Sequence, residues 1–162
     1  MRKRIDEALP ELSWKWYKSQ MEFRRQTHCV YYCMYHLVLV AKYRRKIFNA
    51  GLYGYFRIKL LEIRKHYPDI EVREVNHDRD HVHLLLSIPP KVSVSEAVRI
   101  IKANTGKALR EKFKFLEKIY YGITGVWSDG YFISTVGVNE ETIINYVRYQ
   151  GQEDSGQAKL EF

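Results

Sequence analysis

Apolar positions along the chain follow two periods, and the switches between them delimit the elements. Residues 29–40 (CVYYCMYHLVLV) form a run of β-branched and aromatic side chains closed by the charged stretch 42–46, which predicts a buried first strand. Over 52–67 the apolar residues Phe56, Leu60 and Ile63 recur at helical spacing, and Pro68 stops the helix. Two further strands are predicted at 70–75 and 82–88, joined by the polar turn 76–80, and Pro89 and Pro90 end the second. Ser93 followed by Glu96 is a capping box. Beyond it Val94, Ala97, Val98, Ile101, Ala108, Leu109 and Leu116 trace the inner face of a long helix. A fourth strand is predicted at 130–136 after Trp127. Gly137 then allows a change of direction before Asn139 caps a last helix ending near Gln150.

The order is β-α-β-β-α-β followed by a surplus helix. This predicts an α+β fold of the split βαβ or ferredoxin-like type: an antiparallel sheet with helices on one face and an additional carboxy-proximal helix. Residues 1–26 read as an N-terminal extension, 27–151 as the working domain and 152–162 as a tail, with no internal repeat.

Composition narrows the partner. With 162 residues, 46% of them apolar, the chain is neither fibrous nor disordered. Lys and Arg exceed Asp and Glu by 27 to 19, so the net charge is +8 and the expected partner is a polyanion. Nucleic acid ranks above an anionic membrane because 14% of residues are aromatic, thirteen of them Tyr, whose rings suit stacking on bases. No run of 18 apolar residues occurs, and residues 1–26 lack the apolar centre of a secretory signal, so a cytoplasmic location is expected. Cys29 and Cys33 fall on the first predicted strand. Four residues there span about 13 Å, too far for one disulfide, and both are expected to be reduced.

Three groups carry candidate chemistry. His81 and His83, one residue apart on a strand, direct both imidazoles to one side of the sheet, opposite Val82, Leu84 and Leu86. They are either a pair able to share a metal ion or two satisfied polar residues, and two His are too few for a closed structural zinc site. On the last helix Tyr146 and Gln150 are stacked by i, i+4 spacing beside Ile143, Ile144 and Val147. A Gln carbonyl could complete a site begun by two imidazoles with the phenol as nucleophile, or the helix could simply dock through aromatic packing. Basic residues form two clusters: Lys42, Arg44, Arg45 and Lys46 around Tyr43, and Lys107, Arg110, Lys114 and Lys118 on the long helix. The first is the stronger candidate for nucleic-acid contact. The second reads equally well as a solvated face. Trp14 and Trp16 either stack on a base or dock the leading segment.

Four stretches together carry a resemblance: 35–48 (YHLVLVAKYRRKIF), 80–90 (DHVHLLLSIPP), 127–137 (WSDGYFISTVG) and 146–150 (YVRYQ). In this order the chain resembles the single-tyrosine HUH transposases of the insertion-sequence 200/605 family. The resemblance implies that His81, His83 and Gln150 are metal ligands, that the ion is Mg²⁺ or Mn²⁺, and that Tyr146 is the nucleophile. It further implies a homodimer whose active sites are completed in trans by the tyrosine helix. The substrate would be single-stranded DNA folded into hairpins at element ends, cleaved and rejoined through a 5′-phosphotyrosine without ATP. Two rival readings are a non-catalytic RNA-recognition-type module, for which the His pair would be incidental, and a replication-initiator or relaxase-type nickase.

Overall fold

Alternation along two central strands sets the architecture. The computed structural model describes residues 24–136, which fall into two units, 24–32 and 33–136. In the first, β1 (Arg24–Gln26) and β2 (Cys29–Tyr31) form a two-stranded hairpin, with Arg24 over the Tyr31 ring. In the second, β3 (Met34–Val40), β4 (Glu71–His77), β5 (His81–Ser87) and β6 (Phe132–Val136) form one antiparallel sheet in the order β4-β5-β3-β6. That is the ferredoxin-like order expected from the sequence. The helices are α1 (Ala50–His66), α2 (Val94–Lys112) and the short α3 (Phe115–Ile119).

Leu37 and Leu39 of β3 and Val82, Leu84 and Leu86 of β5 share a fully buried cluster with Phe56 and Leu60 of α1 and Ala97, Val98, Ile101 and Leu109 of α2. Each of these side chains except the smaller Ala97 contributes about 1.5–3 kcal/mol by leaving water. Both long helices therefore cover one face of the sheet, and the alternate residues of β3 and β5 belong to the other face.

The structure corrects several boundaries. The predicted strand over 29–40 is two strands in different units, because the chain leaves the β conformation at Tyr32 and Cys33; the apolar run is continuous across this break and gives no sign of it. Both cysteines are free. Helix α1 starts two residues before Leu52, where the Asn49 side-chain carbonyl accepts the Leu52 N–H at 2.9 Å. At α2, Ser93 Oγ accepts the Glu96 N–H at 3.2 Å, but the Glu96 carboxylate turns to Arg99, so only half of the capping box forms. Leu116 is buried on α3 rather than on α2, which ends where Phe113 leaves helical dihedrals without any Gly or Pro to announce it. Thr105 and Gly106 are buried on α2, whereas Ala108 is only partly so.

Thr105 occupies an apolar position because its hydroxyl is used twice. It donates to the Ile101 carbonyl at 2.7 Å and accepts the indole N–H of buried Trp127 at 3.0 Å. None of the described helices is long and apolar enough to cross a membrane. The predicted helix at 139–150, Gly137, and the segment bearing Trp14 and Trp16 lie outside the described residues. Thr105→Val removes the hydroxyl that accepts from the buried indole while keeping the volume, so it should lower unfolding free energy by about 1–3 kcal/mol. Thr105→Ser should retain most of it, as measured by urea denaturation.

Candidate functional site

The face of the sheet away from α1 and α2 carries an unusual set of buried residues. Register places Val40 opposite His81, Val38 opposite His83 and His36 opposite Leu85, so His36, His81 and His83 share that face with Val38 and Leu85. All three imidazoles are buried, His83 to 1% exposure. The His81 and His83 rings lie 4.9 Å apart between centroids at 72°. His36 stacks on His83 at 5.2 Å and 14°, with Phe132 edge-on to it at 6.2 Å.

Hydrogen bonds at the Nδ1 atoms orient both members of the pair. Asp80 Oδ1 accepts from His81 Nδ1–H at 2.6 Å. Burial would push the Asp80 carboxyl up, but the hydrogen bonds from His81 and Arg44, with their charges, outweigh it and hold it below the usual range. An ionised carboxylate can only accept, so in neutral His81 the lone pair resides on Nε2, which is buried and has no hydrogen-bond partner among the described residues. His83 Nδ1 shares a proton with His36 Nε2 at 3.0 Å. When His83 donates, its own Nε2 likewise carries a lone pair. Burial, followed by the charges of His81 and His36, pushes His83 down to about 3, and burial lowers His36 as well, so both are neutral at pH 7. Neutral imidazoles with a hydrogen-bonded Nδ1 are the form in which histidine binds cations.

These two nitrogens fit a divalent cation but do not complete its coordination. No group of three or more His, Cys, Asp or Glu able to hold a metal occurs among the described residues. Tyr146 and Gln150 lie outside the described residues.

The basic residues separate into two environments. Val40 pairs with His81, and the Ala41 N–H donates to the Asp80 carbonyl at 2.8 Å, so the 42–46 loop leaves the sheet at the histidine end. Within it Tyr43 and Arg44 adopt left-handed φ values of 58° and 51°. Tyr43 is 66% exposed, Arg45 and Lys46 are exposed, and Arg44 Nε donates to Asp80 Oδ2 at 3.1 Å. Lys42 instead lies 3.6 Å from Asp129 and, with Arg99, Lys102, Lys107 and Arg110, lines a cavity of about 590 Å³ beside Trp127. Arg110 Nη1 donates to the Ile123 and Gly125 carbonyls and Lys102 Nζ to those of Ser128 and Asp129. Lys107 and Lys114 pair with Glu111 and Glu117 on their own helical stretch. Lys114 and Lys118 belong to the α3 region rather than to the long helix.

Reading the sequence missed Asp80 and His36. Asp80 could have been found as the carboxylate flanking the His pair, whereas His36 requires the β3–β5 register.

With this geometry in view, the comparisons assign the family. The model of the IS200-like transposases matches residues 29–150. The transposase for insertion sequence element IS200 of Salmonella typhimurium is 35% identical over 130 residues, covering 78% of this chain and 82% of that protein. The ISDra2 transposase TnpA of Deinococcus radiodurans is 28% identical over 132 residues, 80% and 92% of the two chains. Among solved structures, a candidate transposase from Deinococcus radiodurans R1 aligns with a TM-score of 0.65 at 22% identity, over 79% of this chain and 97% of its own. The REP-associated tyrosine transposase bound to a REP hairpin aligns with a TM-score of 0.56 at 15% identity, over 85% and 76%. At those identities the structural likeness shows the fold. The chain belongs to the IS200-like transposase family.

The neutral His83 ring makes acid stability a readout of its environment. With the folded group at about 3 and the unfolded one near 6.5, the unfolded state binds more protons in that window, so stability is intact above pH 6.5 and falls as pH drops toward 3. Between pH 7 and pH 5 the metal-free protein should lose about 2 kcal/mol through His83. His83→Asn should remove that share of the slope in urea titrations at the two pH values.

Proposed function

We propose that the chain is a single-tyrosine transposase that cleaves and rejoins single-stranded DNA at hairpin-bearing element ends through a 5′-phosphotyrosine. The observation that best supports this reading is the pair of buried imidazoles His81 and His83, each hydrogen-bonded at Nδ1 and so disposed to present Nε2. His81 and His83 would hold a divalent cation, Mg²⁺ or Mn²⁺, together with Gln150; the carbonyl oxygen suits either ion, whereas imidazole is a borderline ligand for Mg²⁺, so Mn²⁺ should serve at least as well in vitro. Bound there, the ion would polarise the scissile phosphate and offset charge developing on its oxygens.

The remaining chemistry belongs to the chain. Tyr146 and Gln150 take their roles from the 146–150 stretch and from family membership. The Tyr146 phenol, with an ordinary pKa of about 10, gives up its proton and its oxygen attacks phosphorus. A P–O bond to tyrosine forms as the P–O3′ bond breaks, and the departing oxygen takes a proton to become a 3′-OH. One phosphodiester replaces another of similar energy, and a second 3′-OH reverses the step to rejoin strands. The exposed Tyr43 ring can stack on an unpaired base for about 1–3 kcal/mol, while Arg45 and Lys46 neutralise phosphates beside it. Lys42, Lys107 and Arg110 would serve the duplex part of a hairpin from the helix side of the sheet. The REP-associated relative, bound to a hairpin, supports that substrate class. The reading includes a homodimer with sites completed in trans and action in the cytoplasm.

Incubating labelled hairpin DNA with Mn²⁺ should give a covalent protein–DNA adduct on denaturing gels. The adduct should be absent for Tyr146→Phe, His81→Ala and His83→Ala, although Tyr146→Phe still binds DNA. An adduct from Tyr146→Phe, or none from the wild type under conditions where DNA binds, overturns the proposal in favour of another nucleophile or a non-catalytic module. Replacing Arg45 and Lys46 with Gln should weaken binding of all sequences alike and reduce the slope of log affinity against log salt by about 0.7 per cation removed.

A further inference from the structure

Arg44 and Asp80 form an arrangement that stability does not explain. Two consecutive non-glycine residues, Tyr43 and Arg44, hold left-handed dihedrals, at about 1–2 kcal/mol each. What this conformation delivers is an Arg44 side chain, 73% exposed, onto Asp80. An ion pair that open to water contributes about 0–1 kcal/mol, too little to offset the backbone strain. The division of the carboxylate is more informative. Arg44 takes Oδ2 at 3.1 Å and His81 takes Oδ1 at 2.6 Å, so each oxygen has its own donor. The Asp80 main chain is fixed as well, by the Ala41 N–H at 2.8 Å.

We propose that Asp80 is a positioning residue that locks His81 in the tautomer with its proton on Nδ1 and its lone pair on Nε2, and that Arg44 decides which way the group at position 80 turns. The inference rests on the reading of His81 as a cation ligand and adds the device that prepares it. Asp80 supplies the acceptor, and Arg44 fixes the carboxylate plane.

The arrangement makes an amide at position 80 informative. Asparagine has one oxygen for two donors. The charged Arg44 makes the stronger hydrogen bond, so the Asp80→Asn oxygen turns to Arg44 and the NH₂ faces His81. His81 Nδ1 must then accept, which moves the proton to Nε2 and removes the lone pair from the site. Without the guanidinium, the amide oxygen can turn back to His81.

The test uses the full-length protein, with Mn²⁺ affinity measured by electron paramagnetic resonance and the His81 tautomer read by long-range proton–nitrogen NMR without metal. Asp80→Asn should weaken Mn²⁺ binding by about 10- to 100-fold and shift His81 to the Nε2–H form. Arg44→Met alone should leave the Nδ1–H form in place. Asp80→Asn combined with Arg44→Met should recover affinity and tautomer relative to Asp80→Asn alone, a rescue that a merely structural role does not give. Asp80→Asn with wild-type affinity and tautomer, or a double variant no better than the single one, overturns the proposal. His81→Ala with wild-type Mn²⁺ affinity would instead remove the ligand reading, while the NMR arm still decides whether Asp80 and Arg44 set the tautomer.

Discussion

The antiparallel register between β3 and β5 is the constraint from which the rest follows. It sets Val40 against His81 and Val38 against His83, and because side chains alternate, it simultaneously commits Leu37, Leu39, Val82, Leu84 and Leu86 to the helix-covered core. A slip of one residue would exchange the two sets, placing imidazoles under the helices and leucines on the opposite face. Burial of the leucines therefore protects the histidine geometry, and the precision of the site derives from the hydrophobic core on the reverse of the same strands. His36 extends this logic, since the same register brings it against His83 as a hydrogen-bonded, stacked neighbour.

The same two strands connect the site to the basic loop. Where β3 ends at Val40, the chain turns sharply, is tied back through Ala41 to Asp80, and re-enters the core at Ile47 and Phe48. Between those anchors every side chain from Tyr43 to Lys46 is exposed. A short loop pinned at both ends loses little further backbone freedom on meeting a polyanion, which favours binding without large rearrangement. The second cluster differs in kind: Arg110 and Lys102 hold loop carbonyls, so part of the positive charge on the helix side maintains the fold around Trp127.

Much of the fold was legible because its signals are local. Periodicity marked α1 and α2, Pro68 marked the end of α1 and the Pro89–Pro90 pair the end of β5, and the strand order followed from the sequence of elements. The His81/His83 pair was legible because period-two alternation needs no tertiary knowledge. What escaped depends on pairing between distant segments. The break at Tyr32 and Cys33 interrupts an apolar run with no turn residue, α2 ends at Phe113 without a breaker, and His36 joins the site through a contact 47 positions away. Asp80 lies in a polar turn of the sequence with nothing to mark its partner, since its engagement with Arg44 depends on left-handed dihedrals that neither Tyr43 nor Arg44 advertises.

Those dihedrals also restrict how this loop can vary. Proline, whose ring fixes φ near −65°, is incompatible with positions 43 and 44, and β-branched residues are strongly disfavoured there. Asparagine and glycine are the natural entrants, but either would replace an exposed aromatic ring or a guanidinium. Variation that keeps the path of the loop therefore has its widest latitude at Arg45 and Lys46, where side-chain identity is decoupled from chain geometry.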